Sequence, residues 1–121
     1  GSVFEDVCRD FARHMLDLPF EPVRVGRWWT RTSDEEVDVV VRGVDDELFV
    51  GECKWGTVTG KDLQKLKQRG RQIAEEIGDV PDIRYGVFSG RDEMTGGIED
   101  AEANGEVTYF KGQDLFEART L

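Results

Sequence analysis

The sequence predicts an α/β domain, a mixed central sheet flanked by helices, with its core ordered αβββαβ. Three observations carry this. Apolar residues at helical spacing open the chain, two valine-rich β segments meet at a turn, and a second helical segment separates that hairpin from another buried strand. A strand, a helix and a further strand make a crossover, so the third and fourth strands should be parallel and the connection right-handed, next to an antiparallel hairpin.

The elements follow in order. From Val3 to Leu18 the apolar residues fall at Phe4, Val7, Cys8, Phe11, Ala12, Met15 and Leu16, an amphipathic helix ended by Pro19. Residues 21–32 carry Val23, Val25 and Trp28-Trp29 around Gly26, which reads as an irregular strand bulged at the glycine. Residues 36–42 and 47–55 are β-rich and flank Gly43-Val44-Asp45-Asp46, a hairpin. Residues 60–77 return to helical spacing through Leu63, Leu66, Ile73, Ala74 and Ile77, with Gly78 as the stop. A buried strand at 83–89, a short helix at 98–103, a fifth strand at 107–111 and a helical turn at 113–118 complete the chain.

A chain of 121 residues suits one domain with its own core. No stretch approaches the roughly 18 apolar residues of a membrane span. Gly1-Ser2 reads as an expression scar, with residues 3–121 a single domain excised from a longer chain. The only histidine, His14, falls on the polar side of the first helix, and Cys8 and Cys53 have neither zinc nor redox spacing, so reduced buried thiols are expected. The net charge is −10, and lysine occurs only at 54, 61, 65, 67 and 111, a lysine-poor acidic surface that resembles proteins of salt-loving organisms. Such a charge opposes non-specific attraction to nucleic acid, so a nucleic-acid site would have to be a local basic patch.

The hairpin brings chemistry together. With the turn centred on Asp45, residues whose numbers sum to 90 face one another, so Asp38 opposes Glu52. Lys54, Val40, Leu48 and Val50 should share their face, and Val37, Val39, Val41, Phe49, Gly51 and Cys53 the other. Opposed carboxylates on a half-buried surface repel and call for a cation, and an all-oxygen site suits Mg²⁺ or Mn²⁺. The spacing is equally compatible with Lys54 salt-bridging one acid while the other reaches solvent. Glu5 is a third inward acid, inside the apolar stripe of the first helix, although a glutamate there also suits the helix dipole; Asp6, Arg9, Asp10 and Arg13 project away.

Helix-borne Glu5, Asp38 on the second strand, and Glu52-Cys53-Lys54 on the third, followed by a helix and a strand, resemble the PD-(D/E)XK nuclease superfamily with its restriction-endonuclease-like core. The phrases Phe4-Glu5-Asp6-Val7-Cys8, Val25-Gly26-Arg27-Trp28-Trp29, Glu36-Val37-Asp38-Val39 and Val50-Gly51-Glu52-Cys53-Lys54-Trp55 are similar to the uncharacterised nuclease-like domain C-terminal to archaeal AAA-type ATPase modules. Val37 stands where the superfamily's name has proline. The resemblance implies that Asp38, Glu52 and the backbone carbonyl of Cys53 bind Mg²⁺ or Mn²⁺, and that Glu5 holds a second ion or a metal-bound water. It also implies that Lys54 orients the attacking water and offsets charge on the phosphate. Phosphodiester hydrolysis of DNA in the cytoplasm, by a domain attached to an ATPase, would follow.

Lys61, Lys65, Lys67, Arg69 and Arg71 lie close together against a single acid, Asp62, and Gln64, Lys67 and Arg71 project together. With Lys61 they form a candidate phosphate-facing patch, and equally a solvated helix face. Of Trp28 and Trp29, one should face in and one out, the outer able to stack on a base or a partner. Two other functions compete with the nuclease: a catalytically silent docking or regulatory module of the ATPase, and a carboxylate-rich metal-binding domain that leaves Lys54 and the basic helix unexplained. Dimerisation is left open.

Overall fold

A computed structural model of the protein describes residues 2–14, 17–31, 34–91 and 93–115. Its elements are α1 (Ser2–His14), β1 (Pro22–Trp29), β2 (Glu36–Gly43), β3 (Leu48–Lys54), α2 (Gly60–Ile77), β4 (Ile83–Ser89), α3 (Gly96–Ala103) and β5 (Thr108–Lys111). The five strands form one sheet in the order β1-β2-β3-β4-β5. The first three are antiparallel neighbours, and β3-β4 and β4-β5 are parallel. This is the expected mixed α/β sheet. Asp17 and Leu18 lie outside α1, where the apolar spacing had carried the helix to Leu18, and α3 begins two residues earlier than expected. The last helical segment runs over 112–115, and 116–118 of the expected turn lie outside the described residues.

Both faces of the sheet are covered, which is why the central strands are almost continuously apolar. One face packs Val40, Leu48, Val50 and Val87 against Leu63, Leu66 and Ile73 of α2 and Ile98 of α3. The other packs Val39, Val41, Phe49 and Phe88 against Phe4, Val7, Cys8 and Ala12 of α1, with Leu115. Gly51 and Gly86 admit this second layer, since a Cβ on either would run into the Phe88 or Phe49 ring.

The hairpin has the expected register, with Val39 opposite Gly51, Val40 opposite Val50 and Val41 opposite Phe49. Against β1, however, the pairing passes from Gly26–Val40 to Trp28–Val37. Asp38 and Val39 together oppose Arg27, so the extra residue of the bulge is on β2, not at Gly26 of β1. A bulge reverses alternation beyond it. Val37 therefore packs with the α2 layer and not with Val39, correcting the face expected for it.

Candidate active site

The bulge sits at the end of the sheet where β1 and β3 finish and β2 begins, and it re-aims Asp38. The Asp38 carboxylate accepts a hydrogen bond from the Cys53 N–H at 3.1 Å, and its carbonyl, displaced from regular pairing, accepts from Arg9 Nη1 at 3.0 Å. Arg9, expected to project away, thus reaches back to β2 while pairing with Asp6 at 2.6 Å. One carboxylate oxygen each of Glu5, Glu36 and Asp38 lie within 4.8 Å of one another. Glu5 comes from the first turn of α1, as its place in the apolar stripe predicts. Glu36 was missed, although it lies two residues before Asp38 in a β segment, a spacing that could have flagged it.

Glu52, one step beyond the observed ladder from Asp38, occupies the α2 side. Its Oε2 stands 3.9 Å from Arg69 Nη1, and Arg69 also pairs with Glu35. Burial holds the Asp38 carboxyl up at about 6; the Cys53 N–H opposes this, and Glu5 and Glu36 add to it. Burial raises Glu52 to about 7, reinforced by the charge of Asp38 and opposed by Arg69 and Lys54. Four acids, two of them resisting ionisation, form a surplus of negative charge that oxygen ligands can share with a hard divalent ion.

Lys54 Nζ is 2.9 Å from Asp62 Oδ2. Lys54 therefore salt-bridges neither Asp38 nor Glu52, the arrangement that spacing alone left open. Asp62 is fixed because it completes a capping box with Thr59 at the start of α2, and its carboxyl lies below the usual range: burial opposes this, but Lys54 and Thr59 outweigh it. Its place three residues after a threonine was the available signal.

The basic helix divides into two flanks at 3.6 residues per turn. Asp62 and Arg69 turn toward the acids, and Lys61 and Lys65 lie exposed beside them. Gln64, Lys67 and Arg71 occupy the far flank, where Lys67 pairs with Glu106 at 2.6 Å. The structure thus puts Lys61 on the flank of α2 that carries Asp62 and Arg69, and Gln64, Lys67 and Arg71 on the other. Cys8 and Cys53, distant in sequence, meet between α1 and β3; their thiol contact, then burial, push the Cys53 thiol far up.

The α/β fold, a mixed five-stranded sheet with flanking helices, is shared with solved endonucleases. A repair endonuclease from Pyrococcus abyssi has the same fold, with a TM-score of 0.62 at 15% identity over 92% of this chain and 46% of that one. EndoMS in its complex with dsDNA gives 0.54 at 19% identity over 91% and 41%. Residues 1–66 match DUF234, a family of archaeal and bacterial proteins of unknown function, and the chain belongs to that family. An uncharacterized protein of Methanocaldococcus jannaschii is 38% identical over 120 residues, which are 95% of this chain and 25% of that protein. The chain thus spans a quarter of the length of that relative and under half of these endonucleases.

Proposed function

We propose that this domain hydrolyses phosphodiester bonds in nucleic acid, most simply DNA, with Mg²⁺ or Mn²⁺, as a PD-(D/E)XK-type module of a longer ATPase-bearing chain. The observation that carries the reading is the convergence of Glu5, Glu36 and Asp38 at one end of the sheet, with Glu52 and Lys54 on the adjoining strand. Asp38, Glu52 and the Cys53 carbonyl are the ligands of this reading, and Glu5 and Glu36 serve a second position or a water. A bound divalent ion supplies Lewis acidity toward the phosphoryl oxygen. Lys54 uses one of its three ammonium donors on Asp62, and in this reading the others orient the attacking water and offset charge on the phosphate. Lys61 approaches the backbone of the bound strand, with Gln64, Lys67 and Arg71 left for a more distant part of it.

The reading extends to a cytoplasmic, salt-adapted protein; among the described residues no helix is long and apolar enough to cross a membrane. A panel of single-stranded, duplex and branched substrates, incubated with the full-length protein and Mn²⁺, tests it. Cleavage that Asp38→Asn removes is expected. Silence across the panel would favour a docking or regulatory module of the ATPase, a reading supported by the net charge of −10, which disfavours polyanions.

A further inference from the structure

We propose that Trp29 and Trp55 form a stacking platform for unpaired nucleobases beside the acidic cluster, so that the strand offered to the site is single-stranded or locally unpaired. The inference rests on the nucleic-acid reading for its class of ligand and goes beyond it in naming which structures are accepted.

Both indoles are exposed, Trp29 by 58% and Trp55 by 55%. Each borders the cluster. Trp55 follows Lys54, and its ring stands edge-on to Phe4, the residue before Glu5, with centroids 5.4 Å apart. It also packs closely on Gly90, where a Cβ would collide with the ring. Contacts with Phe4 and Gly90 therefore order an indole that is still half-exposed, before a ligand arrives. On the opposite border, Trp29 pairs directly with Glu36 across β1 and β2, and opposed residues share a face. Its neighbour Trp28 turns the other way, toward α2, with Nε1 3.5 Å from Glu76.

β1 and β3 both neighbour β2, so the strand ends that carry Trp29 and lead into Trp55 lie about 10 Å apart across the sheet. Glu36 and Asp38 lie on the strand between them. A π surface binds any base regardless of sequence, and it can reach only bases that have left the duplex stack. Stacking also suits this chain's charge: with net −10 it gains little from neutralising phosphates, whereas base–indole contact draws on no cationic surplus.

The test is binding measured by fluorescence anisotropy in EDTA, where cleavage does not interfere, to a labelled single strand, an abasic strand of equal length and a blunt duplex. The wild-type chain should prefer the single strand by roughly tenfold or more over both others. Trp29→Ala and Trp55→Ala should each weaken single-strand binding roughly tenfold and leave the abasic strand unaffected. Trp55→Phe should keep most of the affinity, and with Trp29→Ala it preserves the Phe4 and Gly90 contacts if Trp55→Ala unfolds. Equal binding of abasic and normal strands, indifference to both tryptophans, or binding of none of the three would overturn the platform. So would a dimer, seen by sedimentation, that Trp29→Ala dissolves without changing oligonucleotide affinity. Cleavage in Mn²⁺ is read separately: tryptophan-dependent binding without cleavage overturns the nuclease and supports the platform, and unchanged cleavage of every substrate by the tryptophan variants does the reverse.

Discussion

The N–H of Cys53 donates to Asp38 Oδ2 at 3.1 Å, which ties the bulge of β2 to the strand that carries Glu52 and Lys54. That single bond holds the Asp38 carboxylate beside Glu5 and Glu36. Replacing the carboxylate by an amide of the same shape keeps an acceptor for Cys53 and removes one charge from a repelling group. Metal-free Asp38→Asn should melt at the same temperature as wild type or higher in EDTA; a clearly lower melting temperature would contradict the repulsion.

The raised carboxyls predict an unusual pH dependence. Asp38 at about 6 and Glu52 at about 7 lie above their ordinary values, so between roughly pH 4 and 7 the folded chain binds more protons than the unfolded one. Their stabilising contribution is complete below the unfolded values and is lost as pH rises through the folded ones. Thermal melts in EDTA should show wild type losing more stability between pH 5 and 8 than Asp38→Asn/Glu52→Gln. Parallel curves would remove the shifts.

Asp62 does two jobs, capping α2 and holding Lys54 at 2.9 Å. Asp62→Ala should cost about 0.3–1.5 kcal/mol through the lost N3 half of the capping box, measurable by urea denaturation, and should reduce cleavage more than it reduces binding. Asp62→Asn, which retains an acceptor, should recover most of the stability. Equal loss of binding and cleavage would mean that Asp62 does not position Lys54.

The division of α2 into two flanks predicts a graded effect of charge reversal. Lys61→Glu/Lys65→Glu should weaken nucleic-acid binding and flatten its salt dependence more than Lys67→Glu/Arg71→Glu, because Lys67 is already spent on Glu106. A salt titration of affinity for both double variants decides it; the reverse order would show that the strand runs over the far flank.

Most of the fold was legible because it rests on local periodicity. Helical spacing gave α1 and α2, and a turn centred on Asp45 gave the hairpin register, since each depends only on residues near in sequence. The bulge was not legible on the right strand: Gly26 is the residue type that signals one, yet the extra residue is the pair Asp38 and Val39, and the reversal of Val37 follows from it. Of the proposed site residues, helix projection gave the inward placement of Glu5, whereas the approach of Asp38 to Glu5 and Glu36 depends on the bulge and not on alternation. Partners supplied from other elements were not legible. Asp62 for Lys54, Glu106 for Lys67 and Cys8 for Cys53 depend on how the helices dock, which no spacing within a segment encodes.

Screening offers a separate check on the acidic surface. With net charge −10 and repulsion screened over about 3 Å at 1 M salt, the melting temperature should rise from dilute to molar KCl. A flat response would remove the salt-adapted reading and leave the site untouched.

A divalent-cation site built on Asp38 and Glu52 is what the proposed hydrolysis depends on. A ligand that binds only the folded state stabilises it by about 2.7 kcal/mol at a hundredfold excess over Kd, so thermal melts with Mn²⁺ at fixed ionic strength read the site directly. Wild type should gain a concentration-dependent rise in Tm, Lys54→Ala should keep it, and Asp38→Asn should lose it. No rise in wild type, or a full rise in Asp38→Asn, would contradict the claim.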